Sequence, residues 1–121
     1  MSDVRRQLDR AYQKKVVDNV GNRGRKVVLA VFGAVTRATP VDTGTARGNW
    51  QPTLNQPATE VLETTQVQNA QADATATAFE MGDVAFISNN TAYIGKLNEG
   101  SSRQAPAGFV ERAAQAGADV R

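Results

Sequence analysis

Two short segments of the chain contain the residue types that catalysis or metal binding would need. The segment Asp42-Thr43-Gly44 carries a carboxylate that could act as an acid or as a metal ligand. The segment 99–102, Glu-Gly-Ser-Ser, carries hydroxyl groups a few residues after the amine of Lys96. A serine nucleophile needs a general base and donors that stabilise an oxyanion, and Lys96 is the nearby candidate for that base.

The sequence lacks the partners that either chemistry normally uses. It has no His and no Cys, which removes the usual general base, the commonest metal ligand and any thiolate chemistry. Asp42 has no second carboxylate nearby in the sequence, and no glycine pattern matches a phosphate-binding loop. We therefore expect a protein that is not an enzyme, without cofactor or metal, and a serine–lysine pair is the remaining enzymatic alternative. Asp42 and Gly44 are typical of a tight turn in which Gly44 adopts a positive φ.

Charge is distributed unevenly along the chain. Residues 1–47 hold ten Lys or Arg against four Asp, and residues 48–121 hold four basic against eight acidic residues. The two net charges, +6 and −4, give the overall +2. A basic half can contact nucleic acid, but here the cations alternate with apolar residues and have no aromatic stacking platform. This pattern favours a helix face that contacts protein and leaves DNA binding as an alternative. The cations of the first helical stretch are Arg5, Arg6, Arg10, Lys14 and Lys15.

The length of 121 residues predicts a single structural domain over 1–121 with a small core. Apolar residues make up 40% of the chain, but large core formers are few, with four Phe, two Tyr and one Trp. Small domains with such cores are often stabilised by oligomerisation. Because no run of 18 apolar residues occurs and the N-terminus is charged, we expect neither a membrane span nor a secretory signal.

Apolar spacing predicts an α+β fold built on a long N-terminal helix. Apolar residues recur every three or four positions over 2–38, and Pro40 would end that helix. The stretch 21–24, Gly-Asn-Arg-Gly, predicts a kink or break, because each glycine costs about 1 kcal/mol inside a helix relative to alanine. We expect this helix to pack on a small antiparallel sheet, with a short C-terminal helix over 109–118. The strands are predicted at 49–54, anchored by Trp50, and at 84–88.

Residues 51–68 form a polar segment that contains Pro52 and Pro57. We predict a long loop, or a hairpin arm with strands near 47–54 and 60–67. Long polar segments in compact domains are commonly functional, and we expect this one to contact neighbouring subunits. Residues 70–80 predict a short helix, with a strand as the alternative because Ala and Thr alternate there. Residues 93–98 predict a further helical turn.

Two motif clusters together resemble a known family. The first cluster is Pro40, Asp42, Gly44, Arg47 and Trp50. The second cluster is Asn89, Tyr93, Glu99, Gly100, Gln104, Pro106 and Gly108. Their order and spacing resemble the minor tail-component family of long-tailed bacteriophages, which is typified by the tenth gene product of a lambdoid phage. The sequence departs from that family at 93–94, which is Tyr-Ile where Tyr-Ala is common, and at 101–103, which is Ser-Ser-Arg where an aromatic-Ser-Lys is common.

The resemblance implies a virion structural protein of the head–tail junction, a neck or tail-completion subunit that joins the tail to the DNA-filled head. Such proteins are made in the host cytoplasm and form a homo-oligomeric ring, here of about six subunits. The implied partners are the neighbouring neck, connector and tail-tube proteins, with genomic DNA close by and no membrane. The motif residues are then candidates for subunit interfaces. A tail-terminator ring that caps the tail tube, and a basic DNA-binding module, are the alternatives.

Overall fold

The computed structural model describes residues 3–41, 44–100 and 107–120, and within these ranges the side chains of all residues except 3–20 and Tyr93. The fold is α+β, as the sequence predicts: a long N-terminal helix, a two-stranded antiparallel sheet and a short C-terminal helix. In chain order the elements are α1 (Asp3–Ala38), α2 (Thr45–Gly48), β1 (Gln51–Leu54), α3 (Asn69–Ala78), β2 (Ala85–Ser88), α4 (Ala92–Asn98) and α5 (Phe109–Ala118).

The first helix runs without interruption through the stretch 21–24, so the predicted break is wrong, while the alternative of a kink stays a prediction. Gly24 instead allows a close approach, because a Cβ atom at this position would overlap the ring of Phe79, which follows α3. The Phe79 ring occupies the space that a side chain at position 24 would fill. Its end is as predicted: the Thr39 amide donates to the carbonyl of Val35 at 3.2 Å, and Pro40 follows.

The sheet joins two segments that are distant in sequence. β1 pairs antiparallel with β2, from Gln51 opposite Ser88 to Leu54 opposite Ala85. The predicted hairpin with a second strand near 60–67 is therefore wrong, since β1 takes its partner from further along the chain. Residues 55–68 contain neither helix nor strand. The helical interpretation of 70–80 is confirmed by α3, and the strand alternative is wrong. The short helix α2 lies where the sequence indicated only turns.

The core consists of two clusters of buried side chains that share neighbours. One cluster is Phe32, Val35, Trp50 and Ala72, and the other is Ala46, Leu97 and Phe109. Ile94 and Val110 pack against both clusters, so the core is continuous.

Small residues let the helices pack closely around this core. α1 packs chiefly against α5 and α3, and it reaches the sheet through β2. A Cβ atom at Gly117 of α5 would lie 2.6 Å from the Cα of Val31 on α1, which means that the two backbones meet at this glycine. A core with few aromatic residues thus gains contact from close helix–helix approach.

Candidate functional site

The two motif clusters meet at α2. The side-chain amide of Asn89 donates to the carbonyl of Ala46 at 2.7 Å, which joins the start of the second cluster to the middle of the first. Ala46 is also buried against Leu97 and Phe109, which belong to α4 and α5. Residues more than forty positions apart therefore form one continuous region of the molecule.

The turn before α2 has the backbone that the sequence predicts. Gly44 has φ 74°, a left-handed conformation, and it is the residue before the first turn of α2. A Cβ atom here would also lie 3.1 Å from the Cβ of Thr65. Pro40 is buried at the end of α1. Asp42 lies outside the described residues.

Trp50 is a core residue whose polar edge is satisfied internally. Its side chain is 5% exposed, and the indole Nε1 donates to the hydroxyl of Thr39 at 2.8 Å. That hydroxyl donates in turn to the carbonyl of Val35 at 2.7 Å. The relay ties the start of β1 to the last turn of α1, so the indole anchors the domain rather than a subunit interface. Arg47 is held nearby, because its Nε donates to the carbonyl of Thr36 at 3.1 Å.

Asn49 fixes the polar segment, and the sequence did not indicate this role. The residue is 0% exposed, and its amide donates to the carbonyls of Thr45 at 2.7 Å and Leu62 at 3.0 Å. Its side-chain oxygen accepts from the backbone amide of Leu62 at 2.7 Å. The Asn49 side chain thus pairs with both backbone groups of Leu62, as a neighbouring strand would. An Asn beside turn residues is typical of a surface turn, so no sequence signal distinguished this one.

The Asn89-Asn90 turn provides further fixing contacts. The Asn89 side-chain oxygen accepts from both the amide and the hydroxyl of Thr91, at 3.2 and 2.7 Å, just before α4 begins. The amide of Asn90 donates to the carbonyls of Ala58 at 2.8 Å and Glu60 at 3.1 Å. One turn therefore organises the start of α4 and holds the loop 55–68 against the domain.

The rest of the second cluster lies where α4 meets α5. Gly100 and Gly108 have φ 98° and 77°, and the Gly108 amide donates to the carbonyl of Asn98 at 2.7 Å. Glu99 is exposed at the end of α4. Gln104 and Pro106, and the serines of 101–102, lie outside the described residues, as does the side chain of Tyr93.

Asn98 also positions the first turn of α5. Its oxygen accepts from the amide of Val110 at 2.9 Å, and its amide donates to the Glu111 carboxylate at 2.9 and 3.0 Å. These donated bonds are the main cause that lowers the pKa of Glu111 below its ordinary value of 4.5. A similar arrangement occurs beyond β1, where the amide of Asn55 donates to Asp83 at 3.1 Å and is the main cause that lowers the pKa of Asp83.

Two open grooves flank this region. A groove of about 310 Å³ lies between α1 and α3, and its lining includes Arg37, Arg47 and Asp73. We call it the arginine groove. A wider cleft of about 630 Å³ lies between Thr45 and residues 61–66. The sequence did not single out Arg37, because a cation in the last turn of a helix is common for reasons of helix stability alone.

Lys96, the candidate base, is an exposed residue of α4. Among the residues that the structure describes, no three acidic side chains come together as metal ligands would, and no helix is long and apolar enough to cross a membrane. In comparisons with known proteins, the chain matches no protein-family model and shows no significant similarity to a curated protein or to a solved structure.

Proposed function

We propose that this protein is a structural subunit of a bacteriophage head–tail junction, a neck or tail-completion protein that assembles into a ring. The observation that carries the proposal is that the polar residues around α2 hold main-chain segments in place. The side-chain amide of Asn49 donates to the carbonyl of Leu62, and that of Asn89 donates to the carbonyl of Ala46. These bonds hold the loop 55–68 and α2 in place, and ordered surface segments of this kind can serve as contacts between subunits.

The motif order gives this proposal its specificity. The family resemblance rests on two clusters, and a hydrogen bond from Asn89 to Ala46 of α2 connects them. The partners proposed are further copies of this chain and the connector, neck and tail-tube proteins of the virion. Synthesis takes place in the host cytoplasm. The same features suit a tail-terminator ring, which caps the tail tube.

A basic DNA-binding module is the second candidate, and the charge of residues 1–47 favours it. The side chains of Arg5, Arg6 and Arg10 lie outside the described residues. Binding through phosphates would fall steeply with salt and would not depend on sequence.

The proposal is tested with tail tubes purified from the phage whose genome carries this sequence. The protein is mixed with tubes, and bound copies are located by electron microscopy with a tag on the chain. We expect labels at one end of each tube, in a fixed number. Glu63→Arg reverses a charge on the polar segment 51–68. Glu80→Arg reverses a charge at another exposed position and is the matched control. Labels along the whole tube, or none, would contradict the proposal.

A further inference from the structure

We propose that the arginine groove receives the loop 60–63 of a second copy of this chain, in a head-to-tail contact. This inference rests on the proposed ring and identifies the contact that would build it. The loop has the sequence Glu60-Val61-Leu62-Glu63, so it offers two carboxylates and an apolar side chain.

The groove combines an apolar floor with two cations. Phe32 and Ala72 of its lining are buried core residues, whereas Leu29 at its side is 42% exposed. The guanidinium of Arg37 lies over Gly33, where a Cβ atom would be 2.8 Å from its Nη1. Among the described residues of the lining, two are cations and Asp73 is the one acid, so this part of the groove carries a net positive charge.

One buried hydrogen-bonding group of this groove lacks a partner within the described part of the chain. The hydroxyl of Thr36, a residue that is 5% exposed, has no hydrogen-bond partner there. The Arg47 guanidinium donates from its Nε to the Thr36 carbonyl, and its terminal nitrogens carry the N–H groups that can pair with a carboxylate. α3 begins in the lining at Asn69, with no side-chain cap and no acid in its first turn. Donors of this kind around a groove favour a carboxylate.

The loop is held ready for such a contact. Asn49 binds both backbone groups of Leu62, and the Glu60 carbonyl accepts from Gln51 at 2.7 Å and from Asn90 at 3.1 Å. The fixed backbone leaves the side chain of Val61 53% exposed, and Glu63 is exposed beside it. A loop that is already ordered loses little conformational entropy on binding.

Loop and groove complement each other in charge and in apolar surface. The carboxylates of Glu60 and Glu63 would meet Arg37 and Arg47, and Val61 would cover Leu29. The loop and the groove lining share no residue, so each copy can offer both surfaces at once. A contact of this type repeats from copy to copy and closes into a ring. DNA phosphates would satisfy the cations but would leave both apolar side chains exposed.

The contact is tested by cross-linking, for which a chain without cysteine is well suited. Asp73→Cys places a thiol in the groove, and Val61→Cys places one on the loop. The two single variants are mixed and treated with a short bismaleimide, so that a heterodimer can form only between copies. Val84→Cys replaces Val61→Cys as the matched control, because Val84 is 56% exposed on another segment. The mass of each mixture is measured before cross-linking.

We expect a cross-linked dimer with Val61→Cys and not with Val84→Cys. Adding Arg37→Glu to the groove variant should weaken association at least about tenfold, because it places like charges together. Multi-copy assemblies without this cross-link would overturn the inference and leave the proposed ring standing. If every mixture has the mass of one chain, both the groove contact and the proposed ring are contradicted. Duplex DNA is added as a competitor at moderate salt. If DNA binds through Arg37 and prevents the cross-link, the groove is a phosphate-binding site and the inference is overturned.

Discussion

At the scale of single residues, asparagine side chains replace backbone partners at several points of this chain. Asn49 pairs with both backbone groups of Leu62, and Asn98 accepts from the amide of Val110. Such bonds let segments without regular structure pack on a small domain, because buried backbone groups need partners. The loops of the molecule are therefore ordered by a few side chains whose loss would leave buried groups unpaired.

Trp50 is the first residue whose replacement tests this account. Trp50→Ala should lower the free energy of unfolding by about 3–5 kcal/mol, because it empties a site in the core. Trp50→Phe should cost less, about 1–3 kcal/mol, since it keeps an aromatic ring and removes the donor to Thr39. Denaturant unfolding followed by circular dichroism measures both values. A loss below about 1 kcal/mol for Trp50→Ala would show that the indole is not a core anchor.

Glu111 provides a test that depends on pH. Its folded pKa lies below 4.5, so its contribution to stability is present above pH 4.5 and is lost as pH falls through the folded pKa. Asn98→Ala removes the side-chain hydrogen bonds that chiefly lower the pKa of Glu111, so this pKa should rise towards 4.5. An NMR titration of the carboxyl carbons measures this change. Asp83 serves as the internal control, because its pKa is lowered by Asn55 and should not move. An unchanged Glu111 pKa would contradict the assignment.

At the scale of elements, the helices and strands other than α2 follow from local sequence, and their packing partners do not. Apolar spacing predicts α1 and α5, and the run before Asn89 predicts β2. The close approach of Phe79 to Gly24 of α1 is a contact that no local pattern contains.

The candidate site shows the same division. The positive φ of Gly44 follows from its turn sequence, whereas the clamp of Asn49 on Leu62 depends on where the loop returns. The arginine groove was also not predicted, since its lining combines Arg37 of α1 and Arg47 of α2 with Asp73 of α3. Residues whose role is set by their own turn are predictable, and residues whose partner comes from another element are not.

The packing of α5 on α1 is tested with two glycine substitutions. Gly117→Ala should destabilise the protein by about 1–3 kcal/mol, because the added Cβ would lie 2.6 Å from the Val31 Cα. Gly95→Ala is the matched control, since it is also in a helix and its added Cβ has no neighbour within 4 Å among the described residues. The control should stabilise the protein by up to about 1 kcal/mol. Thermal unfolding of the two variants measures the difference, and equal effects would refute the close approach.

At the scale of the whole molecule, the two parts of the chain carry opposite net charges. Residues 1–47 carry a net +6 and residues 48–121 a net −4, and the arginine groove and the loop 60–63 are local examples of that difference. A small core with ordered loops suits a subunit that gains further stability when copies associate. The charge difference would set the register between copies.

The proposed working form of this protein is a closed ring of several copies. The most direct test is the mass of the purified full chain, measured by light scattering alone and after mixing with tail tubes. We predict one discrete species at about six times the 12.9 kDa of a single chain, free in solution or released from tube ends by mild dissociation. A mass of 12.9 kDa at every concentration, with no copies recovered from the tubes, would contradict the account.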